Sequence, residues 1–527
     1  LLLLGSATLV PAAHAQQDPL TPETASRFLA QATLGSNWEE IQRTVDIGLD
    51  AWLDEQFQQP IGYHQPYIDA LVNQGVEVDE ATRRAAWWKQ VMEGPDPLRQ
   101  RVALALSELF VVSDNVGTIG DNPVGLANYY DMLLENSFGN YRDLLRDVSL
   151  HPIMGVYLSH LRNERSDPAR GRYPDENYAR EIQQLFSIGL FNLNIDGTLQ
   201  LDAEGQPIPT YDNDDITEFA KVFTGLSYDS PVPDFRGGDP VWTQPMVMYE
   251  PYHEPGPKFL LRGWYLPPGQ SGMEDVEDAI DNLFQHPNVA PFISRRLIQR
   301  MVTSNPSPGY VRRVSLAFQN NGHGVRGDMK AVITAILLDP EARAWPTSIN
   351  TTEGRLRENF LRRVHLARAF DAESLSGIYP IADNSAPVNF GQRPLSSPTV
   401  FNFFLPDYQP TGVITDAGLY APEFQIITAV TAIASSDDLD TQVYRGMNFD
   451  PENPFNEVTL DLSDEIALAP NVPALIDRLD VLMTYGNMSG EMRSILIQAV
   501  TRIPDPVDRA KLAIYLISIS PEYAVVQ

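Results

Sequence analysis

The sequence predicts a mainly α fold: a multi-helix globular protein with a small hairpin-rich β insertion. Two observations carry that expectation. Apolar residues recur at three- and four-residue spacings through most of the chain, the period of a helix with one buried face. From about 190 to 270 that period breaks, and Pro, Gly and aromatic residues crowd between short alternating arms, as in hairpins and ordered loops. Hydrophobic residues make up 43% and charged residues 20% of the 527, which is material for a sizeable core.

Taken in chain order, residues 1–15 pair a short apolar run with the small-x-small ending Ala13-His14-Ala15. That is the pattern of a secretory signal peptide, so the expectation is a leader remnant and an exported mature chain, periplasmic or extracellular. The run is too short to span a bilayer, and no later apolar stretch reaches 18 residues, so no transmembrane segment is expected in the mature chain. Amphipathic helices are predicted at 25–35 and 37–57. Another follows at 96–112, with Asp96 as its cap and Pro97 in its first turn.

Further helices are predicted at 126–149, 174–188, 213–225, 274–285, 288–303, 308–319, 328–338, 355–371, 421–435, 472–484, 489–501 and 505–519. LNIDGTLQL reads as a hairpin around Asp196-Gly197, a dipeptide suited to a tight turn. PENPFNEVTLDLSDE (451–465) reads as a second small hairpin, and 372–420 as a second irregular stretch. The polar run PTSINTTEG (346–354) divides an N-terminal helical domain, 16–345, from a C-terminal helical region, 355–527.

The formal net charge is -31, with 69 Asp+Glu against 38 Lys+Arg. That excess argues against nucleic acid or an anionic membrane as partner for the surface as a whole. The absence of Cys excludes disulfides, thiolate metal sites and a Cys nucleophile.

Several motifs fail on their context. GHGVRG (322–327) has the spacing of a dinucleotide-binding loop, but a helical pattern precedes it where a strand is required. Gly322 and Gly324 therefore read as helix termination and Asp328 as the next cap. NLNIDGTLQLDAE begins like a calcium loop at Asn192, Asn194, Asp196 and Gly197, yet Ala203 occupies the position that needs a bidentate Glu. An irregular calcium site from Asp196, Asp202, Asp212 or Asp214 stays open. HEPGP lacks the second His of a zinc-protease helix, no G-x-S-x-G occurs, and no two His are four apart.

PDENYAREIQQLFSIGL (174–190) is mostly explained as a helix. Asp175 suits its N-cap, Gly189 its close, Glu176 and Arg180 an i,i+4 pair, and Tyr178, Ile182, Leu185 and Phe186 a buried stripe. Asn177 and Glu181 share a face beside that stripe and are left over. A carboxylate bordering a core wants an Arg, a metal or a substrate proton.

Other candidates are weighed against plain structural roles. His151-Pro152 and His286-Pro287 each precede an apolar helix, which a satisfied helix start explains. His253, Glu254 and Lys258 sit in a Pro/Gly-rich loop, where functional residues are often carried. PTVFNFFLPDY (398–408) is a core plug or an aromatic-lined cleft, with Phe401 and Tyr408 in the second case. ISRRLIQR (293–300) and GRLRENFLRR (354–363) concentrate Arg. They pair with the protein's own acids, or Arg296 and Arg362 hold a carboxylate, sulfate or phosphate.

HPIMGVYLSHLRNE, PDENYAREIQQLFSIGL, YDNDDITEFAKVFTGL, YHEPGPKFLLRG, HPNVAPFISRRLIQRMVTSNPSP, GVRGDMKAVITAILLDPEAR, GQRPLSSPTVFNFFLPDYQP and the closing SPEYAVVQ resemble the bacterial family numbered 1800 among domains of unknown function. The resemblance covers nearly the whole mature chain. It implies an exported protein whose neighbour is a second exported protein of sulfatase- and phosphatase-like fold. Many members carry a Trp-His-Asn-His-Phe-like segment where this chain has ALSELF (105–110), and His-Asp where it has His253-Glu254.

Three functions are expected. The first is an exported accessory or scaffold protein working with that sulfatase-like partner. The second is a metal-dependent or acid/base hydrolase using Glu181 and Asn177 with His151 or His253, a divalent metal being the candidate cofactor. The third is a binding module for an anionic glycan using Arg180, Lys258, Arg296, Arg362, Phe401 and Tyr408.

Overall fold

The computed structural model describes residues 20–344, 354–381, 391–448 and 454–526. The leader expected at 1–15 and all but the last residue of the boundary expected at 346–354 lie outside them. Among the described residues, twenty-five α-helices alternate with short turns and four two-stranded antiparallel ribbons. The fold is mainly α, as its apolar period requires.

Local chemistry sets most helix starts. Thr21, Asp79, Asp212, Ser271 and Thr428 each close a capping box with the residue three positions on, satisfying backbone donors that a helix end leaves open. Asp328 caps Met329–Leu337, and Gly322 and Gly324 turn the chain after Pro308–Gln319 with positive φ, as read from the sequence.

Elsewhere the sequence reading is corrected. Asp96 makes no cap bond to its helix, Pro97–Ser107. Its carboxylate instead accepts from the Gly62 amide at 3.0 Å and from Gln100. The segment 37–57 is two helices broken at Gly48, and 126–149 is Pro123–Asn136 followed by Tyr141–Leu150. Residues 422–426 form a 3₁₀ turn, and the helix expected at 421–435 runs instead from Ala429 to Arg445. Glu80–Glu93, whose apolar face is interrupted by two Arg, is a helix that periodicity passed over.

The insertion carries two consecutive tight hairpins. Leu193 faces Leu199 across the turn at Asp196-Gly197, and Leu201 faces Pro207 across a second turn at Gly205. Val458–Thr459 is a strand that pairs with Glu373–Ser374, and Val458 also bridges antiparallel to Asn448, just before the segment.

One apolar core runs through the described residues from Ala25 to Tyr523. The first helix, Pro22–Ala32, packs on the turn Asp480–Thr484, where the Ser26 hydroxyl donates to the Val481 carbonyl at 2.6 Å. Arg355–Leu356 pairs with Val525–Val526, so the chain's end is sewn to the start of its C-terminal half. The sequence halves on either side of 346–354 therefore share a core. None of the described helices is long and apolar enough to cross a membrane.

Candidate functional site

The helix Val289–Met301 carries three arginines, Arg295, Arg296 and Arg300, into the wall of a cleft of ≈ 370 Å³. Two irregular segments form its lips, and both are clamped to this helix or its flanks. Asn288, just before the helix, accepts from the Leu193 amide and donates to the Ile188 and Phe191 carbonyls, all at 2.8 Å. That fixes the first hairpin, whose Phe191, Leu193 and Leu199 line the cleft. On the other side Gln299 donates to the Pro406 carbonyl at 3.1 Å, and Asn305 exchanges two 2.8 Å bonds with Tyr420. Phe401, Leu405 and Tyr420 face the cleft from there.

Arg295 lies 5.6 Å from the Tyr420 ring centre, and its buried Nε has no hydrogen-bond partner among the described residues. Arg296 lies 5.1 Å from the Phe292 ring centre and donates to Gln299 at 3.1 Å. Burial and the neighbouring Arg295 bring its guanidinium down to about 10, against the pull of Asp407. Among the described residues, neither Arg295 nor Arg296 has a carboxylate at ion-pair distance. In so acidic a chain, that leaves two guanidinium groups open to an anion.

Arg300 differs. Its Nε stands 3.5 Å from the Glu108 Oε2, and its guanidinium covers the Phe404 ring at 4.4 Å. Glu108 also lines the cleft and belongs to a buried charge cluster. Gln392 donates to Glu108 at 3.1 Å and also to Glu358. Arg355 holds Glu358 at 2.7 Å and Glu423 at 3.5 Å, and Arg101 and Arg355 both donate to the Arg300 carbonyl. Burial and the Glu358 charge push the Glu108 carboxyl up to about 8, against Arg300, Arg355 and Arg101. For Glu358, burial acts upward but Arg355 and Gln392 outweigh it and hold the group low. One carboxyl of the pair thus keeps its proton near neutral pH.

The helix Asn177–Gln184 forms the adjoining wall through Gln184 and Leu185. Glu181 is three and four residues before these, so it lies on the same face one turn away. It is 6% exposed, and its Oε2 has no hydrogen-bond partner among the described residues. Burial raises its carboxyl, with Arg180 opposing. Burial raises Tyr157 and Tyr211; the Glu181 charge adds to both, with a Ser397 hydrogen bond opposing at Tyr157 and Arg180 at Tyr211. Asn177 reaches the Ser159 hydroxyl at 3.4 Å, and Ser159 has φ 63°. Its own amide is held by Asp175, which caps from one position before the N-cap Glu176. Arg180 is partly exposed and pairs with Glu176 at 3.6 Å.

The two candidate histidines are elsewhere and occupied. His151 caps Pro152–Tyr157 through Nδ1, which accepts from the Ile153 amide, and Nε2 meets Asn128 at 3.2 Å. Burial lowers its imidazole to about 3. His253 is buried with Nδ1 2.9 Å from the Thr224 carbonyl and Nε2 2.9 Å from Asp275. Lys258 donates to the same carboxylate, to the Glu254 carbonyl at 2.6 Å and to the Gly256 carbonyl at 3.2 Å. Its three ammonium hydrogens are used, so the structure gives Lys258 no donor for a ligand.

Arg362 donates to the Arg357 carbonyl at 3.2 Å, away from the cleft, and Tyr408 likewise is not among the cleft's lining residues. Three of the four calcium-candidate carboxylates hold turn or cap amides: Asp196 accepts from Thr198, Asp202 from Glu204 and Gln206, and Asp212, the cap of Asn213–Val222, from Asp214 and Asp215. Among the described residues no three His, Asp or Glu are grouped to hold a metal ion.

Of the residues singled out in the sequence, the cleft gathers Arg296 and Phe401 and sets Glu181 beside them. Glu108, Arg295, Arg300, Gln392 and Tyr420 were missed as site residues. The one signal for Glu108 was its place in ALSELF, where the family resemblance implied a departure.

No curated protein and no solved structure matches the chain. A family model described as a protein of unknown function, DUF1800, matches residues 27–525. Nearly the whole chain is covered, and the protein belongs to the DUF1800 family.

Proposed function

We propose that this protein binds a ligand carrying a carboxylate, sulfate or phosphate group in the cleft of Val289–Met301. The observation that carries the reading is the pair Arg295 and Arg296, guanidinium groups in a half-buried wall without a carboxylate at ion-pair distance among the described residues. A charge-assisted hydrogen bond in such a place contributes about 1.5–3 kcal/mol. The setting of this proposal is the one the family resemblance implied: an exported protein, periplasmic or extracellular, beside a sulfatase-like partner that would release or consume an anionic ligand.

Calorimetric titration of the full chain with glucuronate, a sulfated disaccharide, hexanoate and inorganic phosphate tests this. At least one anion binds saturably, binding weakens with added salt, and Arg295→Ala/Arg296→Ala lowers affinity tenfold or more. Failure of every anion to bind, or binding indifferent to both arginines, overturns the reading.

Glu181 supports a second reading, acid/base chemistry on the bound ligand. It rests on a raised carboxyl whose Oε2 has no hydrogen-bond partner among the described residues, one helical turn from the cleft wall. Turnover abolished by Glu181→Gln with ligand affinity unchanged is the result it requires.

A further inference from the structure

The lining of the cleft says what the anion is attached to. Phe191, Leu193 and Leu199 share one face of the first hairpin, because Leu193 and Leu199 are cross-strand partners and Phe191 is two residues away. All three line the cleft, with Leu190 at its edge. Phe401 and Leu405 oppose them from the second lip. Leu190, Phe191, Leu199, Phe401 and Leu405 are 49%, 40%, 46%, 44% and 38% exposed. Apolar side chains this exposed, gathered around one opening, mark a surface that something else covers.

A sugar ring asks for many hydrogen-bond partners, and the lips are mostly Leu, Phe, Val400 and Pro406, with Asp407 and Tyr420 as their polar members. What they match is hydrocarbon. The cleft's ≈ 370 Å³ is within the about 300–1,000 Å³ of small-molecule sites, a size that suits one acyl chain with its head group.

We propose that the occupant is a single-chain anionic amphiphile of the fatty-acid type. Its carboxylate meets Arg295 and Arg296, and its hydrocarbon chain lies between the hairpin lip and the Phe401–Leu405 lip. The inference rests on the anion-binding reading above. It replaces the anionic glycan expected from the sequence with an acyl chain, because the residues around the arginines are apolar.

The test is chain length. The full protein is titrated with acetate, hexanoate, octanoate and decanoate below their micelle concentrations, and with glucuronate. Affinity rises about fourfold for each added methylene, the transfer value of a buried CH₂. Leu199→Ser and Leu190→Ser flatten that rise for octanoate and decanoate, and both residues are exposed enough for the fold to tolerate them. A flat chain-length series with anion binding intact overturns the acyl inference and leaves the anion site standing. Glucuronate binding more tightly than decanoate does the same. Loss of all anion binding overturns both.

Discussion

Glu108 and Arg300 meet at the cleft with the Arg300 Nε 3.5 Å from the Glu108 Oε2, and both side chains are buried. The pair is not a fixed ion pair, since burial and Glu358 push the Glu108 carboxyl up to about 8 while Arg300, Arg355 and Arg101 resist. Below that pH Glu108 is neutral and the Arg300 charge is left for an anion in the cleft. Above it the carboxylate cancels Arg300 and repels the anion. Anion affinity is therefore expected to fall about five- to tenfold between pH 7 and 9, a plausible size for one partly screened charge. Glu108→Gln, which keeps the Gln392 contact and removes the titration, makes the affinity independent of pH over that range. A wild-type profile that is already flat sinks the idea.

Lys258 is a structural cation rather than a ligand contact. Removing it in Lys258→Met leaves Asp275 buried with His253 alone, and the Asp275 Oδ1 already lacks a partner among the described residues. An orphaned buried charge costs about 3–5 kcal/mol. Urea unfolding should show that loss, and Lys258→Met/Asp275→Asn should recover part of it. A change below about 1 kcal/mol would be that of a surface pair instead.

Gly189, in the turn that follows the helix Asn177–Gln184, has φ 70°, and a methyl built on it comes 2.6 Å from the Phe292 ring. Gly205, on the second hairpin, has φ 78° and open space around it. Both Gly→Ala changes cost about 1 kcal/mol for the left-handed backbone. Only Gly189→Ala must also displace Phe292, a cleft residue. Its melting temperature should therefore fall further than that of Gly205→Ala, and its anion affinity should drop with it.

Burial lowers His151 to about 3 and His160 to about 4, while an unfolded His titrates near ~6.5. The sign follows from proton binding: between these values the unfolded chain takes up protons that the fold refuses. Each group therefore costs stability as pH falls below about 6.5, by up to ~1.4 kcal/mol per pH unit until its folded value is reached. The ring carbon resonances of both should stay at their neutral positions from pH 8 to 5. A midpoint near 6 for either would mean that its ring is solvated.

Much of the helix Asn177–Gln184 was legible from its letters, because capping and pairing are local. Asp175 does hold an N-terminal amide, Gly189 does take the left-handed turn, and Glu176 does reach Arg180. The tight turn at Asp196-Gly197 was legible for the same reason. The cleft was not. Arg296 and Phe401 were each noticed, yet nothing in a linear pattern puts residues about a hundred positions apart on opposite sides of one opening. Glu108 looked like an ordinary residue in an apolar helix.

By itself, then, the sequence determined the mainly α class, most helix starts, the first hairpin and the family, since each depends on neighbours within a few positions or on long stretches of matching residues. Tertiary structure alone decided which arginines are paired and which are open, and that Lys258 is used up inside. It also decided that the Glu108 carboxyl is pushed up by burial and Glu358, and that the hairpin's apolar face lines a cleft. Burial and long-range charge set those outcomes, and both are properties of packed elements rather than of any one segment.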